Sequence, residues 1–248
     1  DRLVAPFLTG IYAADANQLS MAAVFPRMLR MEREYGSITG AFLRSFIRPS
    51  TKPASAPQGK PKPKGAIFSF PAGMETLPAR LAKTVNVRYN VSDARVGDSR
   101  VTVLATPAYG AARLLDSQYP ALARLLEKVE YAPIVVAVTS LPEASFKEPL
   151  RGFGFLVPRN QGLHQLGTLF SSALFSGRAP AGRVLLTSFA GGALEPQAVD
   201  WPDDHTWEIV CSELKRVLGT SSMPEPVALI RRRQAIPQYK IGHERWVT

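Results

Sequence analysis

Residues 150–192, LRGFGFLVPRNQGLHQLGTLFSSALFSGRAPAGRVLLTSFAGG, decide how this chain folds. Three apolar runs lie inside it: GFGFLVP at 152–158, QLGTLFSS at 165–172 and RVLLTSFAGG at 183–192. Gly, Pro and polar turns separate them, which is the pattern of short antiparallel strands. Working outward, IVVAV at 134–138 precedes the block and EPVALIRR at 225–232 follows it, each reading as a further strand. A helical stretch from Thr206 to Leu218 interrupts the series and carries the lone Cys211. The expected fold is therefore α+β, with a largely antiparallel sheet in its second half.

Upstream of the block the character changes. AIFSFPAGMETLPARLA at 66–82 predicts a short strand, a turn at Gly73, and a helix from about Leu77 to Lys83 with Pro78 in its first turn. Val85–Val91 and Val101–Ala105 are β-branched runs between polar turns and read as strands. ATPAYGAARLL then leaves the second run through Pro107 into a helix, and Ser117–Lys128 predicts another. Thr51–Lys64, TKPASAPQGKPKPK, holds four Pro and four Lys in fourteen residues, a composition that builds no core and reads as a solvated linker. Residues 1–50 read as mostly helical. Ser20 is placed to cap a short helix ending near Phe25, Pro26 opens a second, and Gly36 stops it. Ser37 is placed to cap a third, through Phe42 to Ile47.

Composition bounds the function classes. Apolar residues make up 46% and charged residues 20% of the 248, which excludes wholesale disorder, collagen and coiled coil. The longest aliphatic run, Ile134–Val138, is far short of the roughly 20 apolar residues of a spanning helix. The net charge of +10 raises nucleic acid or anionic lipid as a partner. Seven of those charges sit in two clusters, Lys52, Lys60, Lys62 and Lys64, and Arg231–Arg233. Neither cluster interleaves aromatics, so no nucleic-acid partner is expected. An anionic membrane surface suits them better, since each clustered base is worth about 1 kcal/mol near one. A single cysteine excludes an internal disulfide and fits a reducing compartment.

The motif search names no chemistry. His164, His205 and His243 are far apart in sequence, and only His205 has the cysteine within ten positions, so no metal site is expected. Cys211 on an apolar helix reads as packing. No GxSxG elbow occurs, and GSITG at 36–40 has the wrong register for one. Gly152-Phe153-Gly154 opens like a dinucleotide fingerprint, but Val157 stands where the third glycine belongs.

Taken in order, the segments resemble those of the protoporphyrinogen oxidases. The matching stretches are PFLTGIYAADANQLSMAAVFPRMLRMEREYGSI, IFSFPAGMETLPARLA, VLATPAYGAARLL, LRGFGFLVPRNQGLHQLGTLFSSALFSGRAP, VLLTSFAGG and AIPQYKIGH. The resemblance implies a two-domain flavin amine-oxidase-like fold, with an antiparallel substrate sheet and a helical membrane-facing segment. It maps 1–50 to that helical segment beside the substrate cavity, 51–64 to the linker and 65–130 to the middle of the FAD-binding domain. It maps 131–235 to the substrate sheet and 236–248 to the return toward the FAD domain. The family's opening GxGxxG and its closing glycine-rich segment have no counterpart here, so the chain is expected to be a piece of a longer protein. The basic residue that family members offer to a substrate propionate has none either, and Arg232 stands where bacterial members often carry tryptophan.

The resemblance also implies FAD as cofactor and oxidation of protoporphyrinogen IX to protoporphyrin IX. Six electrons would leave as three hydride equivalents, and molecular oxygen would take them up as hydrogen peroxide. Phe153, Gly154, Leu156, Leu169 and Phe189 would line the substrate cavity, with Thr9 and Gly10 across it. The backbone of Val91 would meet the adenine end of FAD, and the turn with Ala105 and Thr106 would face the flavin. No dedicated catalytic residue is expected, because the cofactor carries the chemistry. A homodimer and a bacterial cytoplasmic location, peripheral to the inner face of the membrane, complete the expectation. Coproporphyrinogen III, with four propionates in place of two, remains open as the substrate. A carotenoid-desaturase-like flavoenzyme and a non-catalytic fragment that binds a membrane surface or partner also remain open.

Overall fold

The computed structural model describes residues 4–40, 43, 67–91, 96–97, 99–158 and 160–247. They divide into two compact units, Asp1–Gln18 with Ser69–Gln238, and Leu19–Phe68 with Tyr239–Thr248.

The larger unit is built on an antiparallel sheet of β1 (Tyr131–Pro142), β2 (Gly154–Leu156), β3 (Gln165–Leu169), β4 (Arg183–Gly191) and β5 (Glu225–Pro237). Their spatial order is β2-β3-β4-β1-β5. β1 lies between β4 and β5, running from Ile134 opposite Gly191 to Pro142 opposite Arg183 along β4. Its other edge pairs with β5 through two register shifts, between Ala132 and Ile134 and between Val138 and Thr139. Side chains alternate across a strand, so each run in the sequence supplies two faces.

One face buries Ala137, Leu141, Val184 and Leu186 against Val210 and Leu214 of the helix Asp203–Leu218. The sequence of that helix explains its limits. Asp203 and Asp204 stand in the first turn and Lys215 and Arg216 in the last, each complementing the helix dipole. Gly219 ends it in the left-handed conformation, φ 62°. Cys211 is buried on this helix, and burial pushes its thiol pKa up, away from the reactive thiolate. The opposite face carries a second cluster of Ala13, Ala132, Ile134 and Leu166. It is partly covered by the helix Val4–Tyr12. The helices Ala108–Leu115 and Pro120–Glu127 pack on each other through Ala112, Leu115 and Ala123.

Three stretches depart from expectation. Residues 67–70, Val85–Val91 and Val101–Ala105 read as strands from their β-branched and aromatic content, yet none is a strand. They run as irregular backbone, with Val101 76% and Val103 81% exposed. β propensity measures fit to a half-buried pleated surface, and no described strand pairs with these residues. GFGFLVP contributes only Gly154–Leu156 to the sheet, and QLGTLFSS leaves it after Leu169 for a short helix, Ser171–Leu174. β5 is longer than its apolar run, continuing through three arginines to Pro237.

In the smaller unit, local chemistry sets the helices as the sequence predicts. The Ser20 hydroxyl accepts from Ala23 N at 3.3 Å at the start of Met21–Val24. Pro26 opens the helix Pro26–Tyr35, and Gly36 closes it at φ 74°. Ser20 Oγ also donates to Glu244 Oε2 at 2.8 Å. A bond from its own backbone N–H and this one hold the Glu244 carboxyl below its ordinary pKa. Gly40 N donates to Ser37 Oγ at 2.9 Å, and most of the helix expected beyond it lies outside the described residues, as does the Lys52–Lys64 cluster.

Candidate functional site

The second face of the sheet holds a cavity of about 520 Å³. Its floor follows from register. Gly154 pairs with Leu169 and Leu156 with Gly167, while Gly167 and Leu169 in turn pair with Phe189 and Thr187. Directly opposed residues share a face, so Gly154, Leu156, Gly167, Leu169 and Phe189 project together. Ile134 and Ile236 extend the floor, and Phe7, Gly10 and Ile11 of the helix Val4–Tyr12 line it as well. Helical spacing puts positions 7, 10 and 11 on one side of that helix.

Two glycines permit this closeness. A Cβ at Gly10 would stand 2.4 Å from Leu156 Cδ2, so the helix can lie against β2 only without a side chain there. Gly154 has φ 146°, and a Cβ on it would meet the carbonyl oxygen of Thr168 at 2.0 Å. A glycine on a cavity floor lets a flat ring approach the backbone, but that is not what requires one here. In the structure, the atoms that require glycine are those of β3.

Among the described residues, none that lines the cavity is titratable, and Thr168 is the sole one with a polar side chain. Its hydroxyl is already engaged. It donates to Gln165 Oε1 at 2.9 Å and lies 2.8 Å from Ser188 Oγ. Gln165 Nε2 donates to the Val210 carbonyl. Glu213, 6% exposed, completes the frame by accepting from the backbone N–H groups of His164 at 2.7 Å and Gln165 at 3.2 Å. A carboxylate on the helix Asp203–Leu218 thus fixes the start of the strand that floors the cavity. What remains facing the void is aliphatic and aromatic, suited to a large apolar ligand held by area and shape.

Of the residues singled out in the sequence, the structure brings Gly10, Phe153, Gly154, Leu156, Leu169 and Phe189 together around this cavity. Thr9 is 5% exposed but is not among its lining residues, and its hydroxyl has no hydrogen-bond partner among the described residues. Replacing an unpaired buried hydroxyl by a methyl group removes a desolvation cost. Thr9→Val is therefore expected to leave stability unchanged or raise it by up to about 1 kcal/mol, read as a shift in urea midpoint. A clear loss would show that the hydroxyl is satisfied. Val91, Ala105 and Thr106 are exposed on the irregular stretches and do not line the cavity.

Phe7, Ile11, Ile134, Gly167 and Ile236 are lining residues that the sequence did not single out. Strand alternation from Leu169 points to Gly167, and helical spacing from Gly10 points to Phe7. Nothing local identifies Ile134 or Ile236.

An exposed segment at 101–106 leading into the helix Ala108–Leu115 can flank a flavin. It offers no cradle for a pyrophosphate, which needs a glycine-rich turn opening onto a helix, and the chain contains no GxGxxG.

The larger unit is thus an antiparallel sheet with an apolar cavity on one face and helices on both. The profile of the flavin-containing amine oxidoreductases matches residues 1–246, and the chain belongs to that family. Chloroplastic protoporphyrinogen oxidase 1 of Spinacia oleracea is 35% identical over 275 residues, covering 98% of this chain and 49% of that protein. Coproporphyrinogen III oxidase of Bacillus subtilis (strain 168) is 26% identical over 262 residues, covering 98% of this chain and 54% of that protein. The crystal structure of a candidate protoporphyrinogen oxidase from Exiguobacterium sp. 255-15 superimposes with a TM-score of 0.69 at 20% identity, over 99% of this chain and 54% of that one. That likeness shows the fold alone. The chain spans about half the length of the curated relatives it matches.

Proposed function

We propose that this chain is the substrate-binding part of an FAD-dependent oxidase that converts protoporphyrinogen IX to protoporphyrin IX. The observation that carries the reading is the apolar, non-titratable cavity flanked by the GFGFL strand and Gly10. A flexible macrocycle of four pyrrole rings joined by methylene bridges needs such walls, with its carboxylates left at the mouth. Bound FAD would supply the electron sink, taking six electrons as three hydride equivalents for delivery to molecular oxygen. The residues of this chain bind the ring system, orient it and exclude water; Phe153 and Leu156, both exposed, stand at the rim. Coproporphyrinogen III is the second reading, favoured by the name of the Bacillus relative.

The domain assignment belongs to the same proposal, with 1–50 as the helical, membrane-facing segment, 65–130 in the FAD-binding domain, and 131–235 as the substrate sheet. So do a homodimeric state and a bacterial cytoplasmic location, peripheral to an anionic membrane. Arg27, Arg30 and Arg33 recur on the helix Pro26–Tyr35 and suit such a surface. No helix among the described residues is long and apolar enough to cross a membrane.

The test is turnover by the complete natural polypeptide in which this sequence occurs, supplied with FAD, air and each porphyrinogen in turn. The expected result is a yellow protein that generates porphyrin fluorescence and hydrogen peroxide from protoporphyrinogen IX. A colourless protein without turnover would overturn the reading. Faster conversion of the tetracarboxylate would favour the second substrate.

A further inference from the structure

Beyond the cavity the sheet continues into β5, where the apolar lining meets charge. Register places Ile134, a lining residue, opposite Arg232, and places Val135 opposite Arg231. Opposed residues share a face, so Arg232 stands on the cavity face and Arg231 on the other. The partners of Arg231 agree with this. It reaches the Trp201 carbonyl at 2.8 Å, Thr206 Oγ1 at 3.2 Å and Asp203 Oδ1 at 2.6 Å, all at the start of the helix that packs on the far face. Arg233 pairs with Asp200 Oδ1 at 2.6 Å. Between these two clamped arginines, Arg232 is exposed and meets no carboxylate among the described residues. Its contact is the Arg231 carbonyl, at 3.3 Å. Four positions further along the same strand, Ile236 lines the cavity again.

We propose that Arg232 receives a carboxylate of the ligand whose apolar body fills the cavity. This rests on the porphyrinogen reading and names a polar anchor for it. The lining itself offers no charge, so a ring system bearing acidic side chains must find its cation outside the apolar walls. A guanidinium suits that role, because its planar fork matches a carboxylate bidentately. The neighbouring arginines cannot serve without giving up Asp203 and Asp200.

The test titrates the 248-residue chain with protoporphyrin IX and with its dimethyl ester, which keeps the ring and loses both charges, following porphyrin fluorescence. The wild-type chain is expected to bind both. Arg232→Ala should weaken the free acid about tenfold, equivalent to about 1.4 kcal/mol, and leave the ester within about twofold. Arg232→Lys should recover part of the loss, since it keeps the charge without the fork. Arg233→Ala removes the same charge from the next position and should leave the acid-to-ester ratio unchanged. That separates a local contact from general attraction to a basic chain. Parallel loss of acid and ester in Arg232→Ala, or no change in either, overturns the proposal. Failure of the wild-type chain to bind either ligand overturns the cavity reading instead, and the proposal with it.

Discussion

Gly154→Ala is expected to cost at least about 3 kcal/mol and to abolish porphyrin binding, because two penalties fall on one atom. The backbone at this position has φ 146°, a region that L side chains avoid, and occupying it costs about 1–3 kcal/mol. The added methyl would also stand 2.0 Å from the Thr168 carbonyl oxygen and 3.0 Å from the Leu169 Cα, both backbone atoms with no rotamer to yield. The strand must therefore move. The three-residue β2 is an edge strand whose only ladder in the described sheet is to β3, so movement means losing that pairing and the cavity rim with it. Gly177 supplies the control. Its φ is 73° and nothing lies within 4 Å of a built Cβ, so Gly177→Ala should show conformational strain alone, about 1–2 kcal/mol. Urea unfolding of both variants, with a porphyrin titration, separates strain from clash. Equal stability of the two would show that β2 accommodates a side chain.

Glu213→Ala should destabilise by about 3 kcal/mol, since it strands one buried backbone donor, at Gln165, and one part-buried donor, at His164, at about 1–3 kcal/mol each. The carboxylate is the shared acceptor for His164 N and Gln165 N, on the first turn of chain into β3. Glu213→Gln should lose roughly half as much, because the amide keeps one acceptor oxygen but turns its NH2 toward a donor. Amide hydrogen exchange adds a local signature. In Glu213→Ala, exchange at 164 and 165 should accelerate beyond the change at Leu186, which lies in the opposite core cluster. Uniform acceleration across the sheet would mean that the carboxylate contributes only to global stability and does not fix this strand. A shift in porphyrin affinity of the folded variant would follow from the former, since Gly167 and Leu169 continue the same strand into the cavity.

How much of this was legible in the sequence differs by element. The helix Pro26–Tyr35 was, because a proline at its start and a left-handed glycine at its end are requirements of the backbone at those residues. The helix Asp203–Leu218 was legible from Thr206 to its end, while its first turn, with Asp203 and Asp204, was not. The strands around Gly152–Gly192 were legible as alternating apolar runs, and the family resemblance carried six of the lining residues. By contrast, Val85–Val91 and Val101–Ala105 have the composition of strands and are not strands. A ladder needs a second strand, and composition describes only the first.

The sequence by itself determined where the capped and proline-opened helices start and stop, and which runs can enter a sheet. These depend on dihedral preferences and on period, properties of a residue and its near neighbours. Only the tertiary structure decided the strand order β2-β3-β4-β1-β5, the glycine demanded at 154 by a carbonyl fourteen residues away, and the placing of Arg232 beside the cavity while Arg231 turns to the helix. Each of these follows from register between distant segments. A shift of one residue would send every side chain of β5 to the other face, and nothing within RRR chooses between them. Partners across the sheet make that choice, through the packing of Val135 on one side and Ile134 on the other.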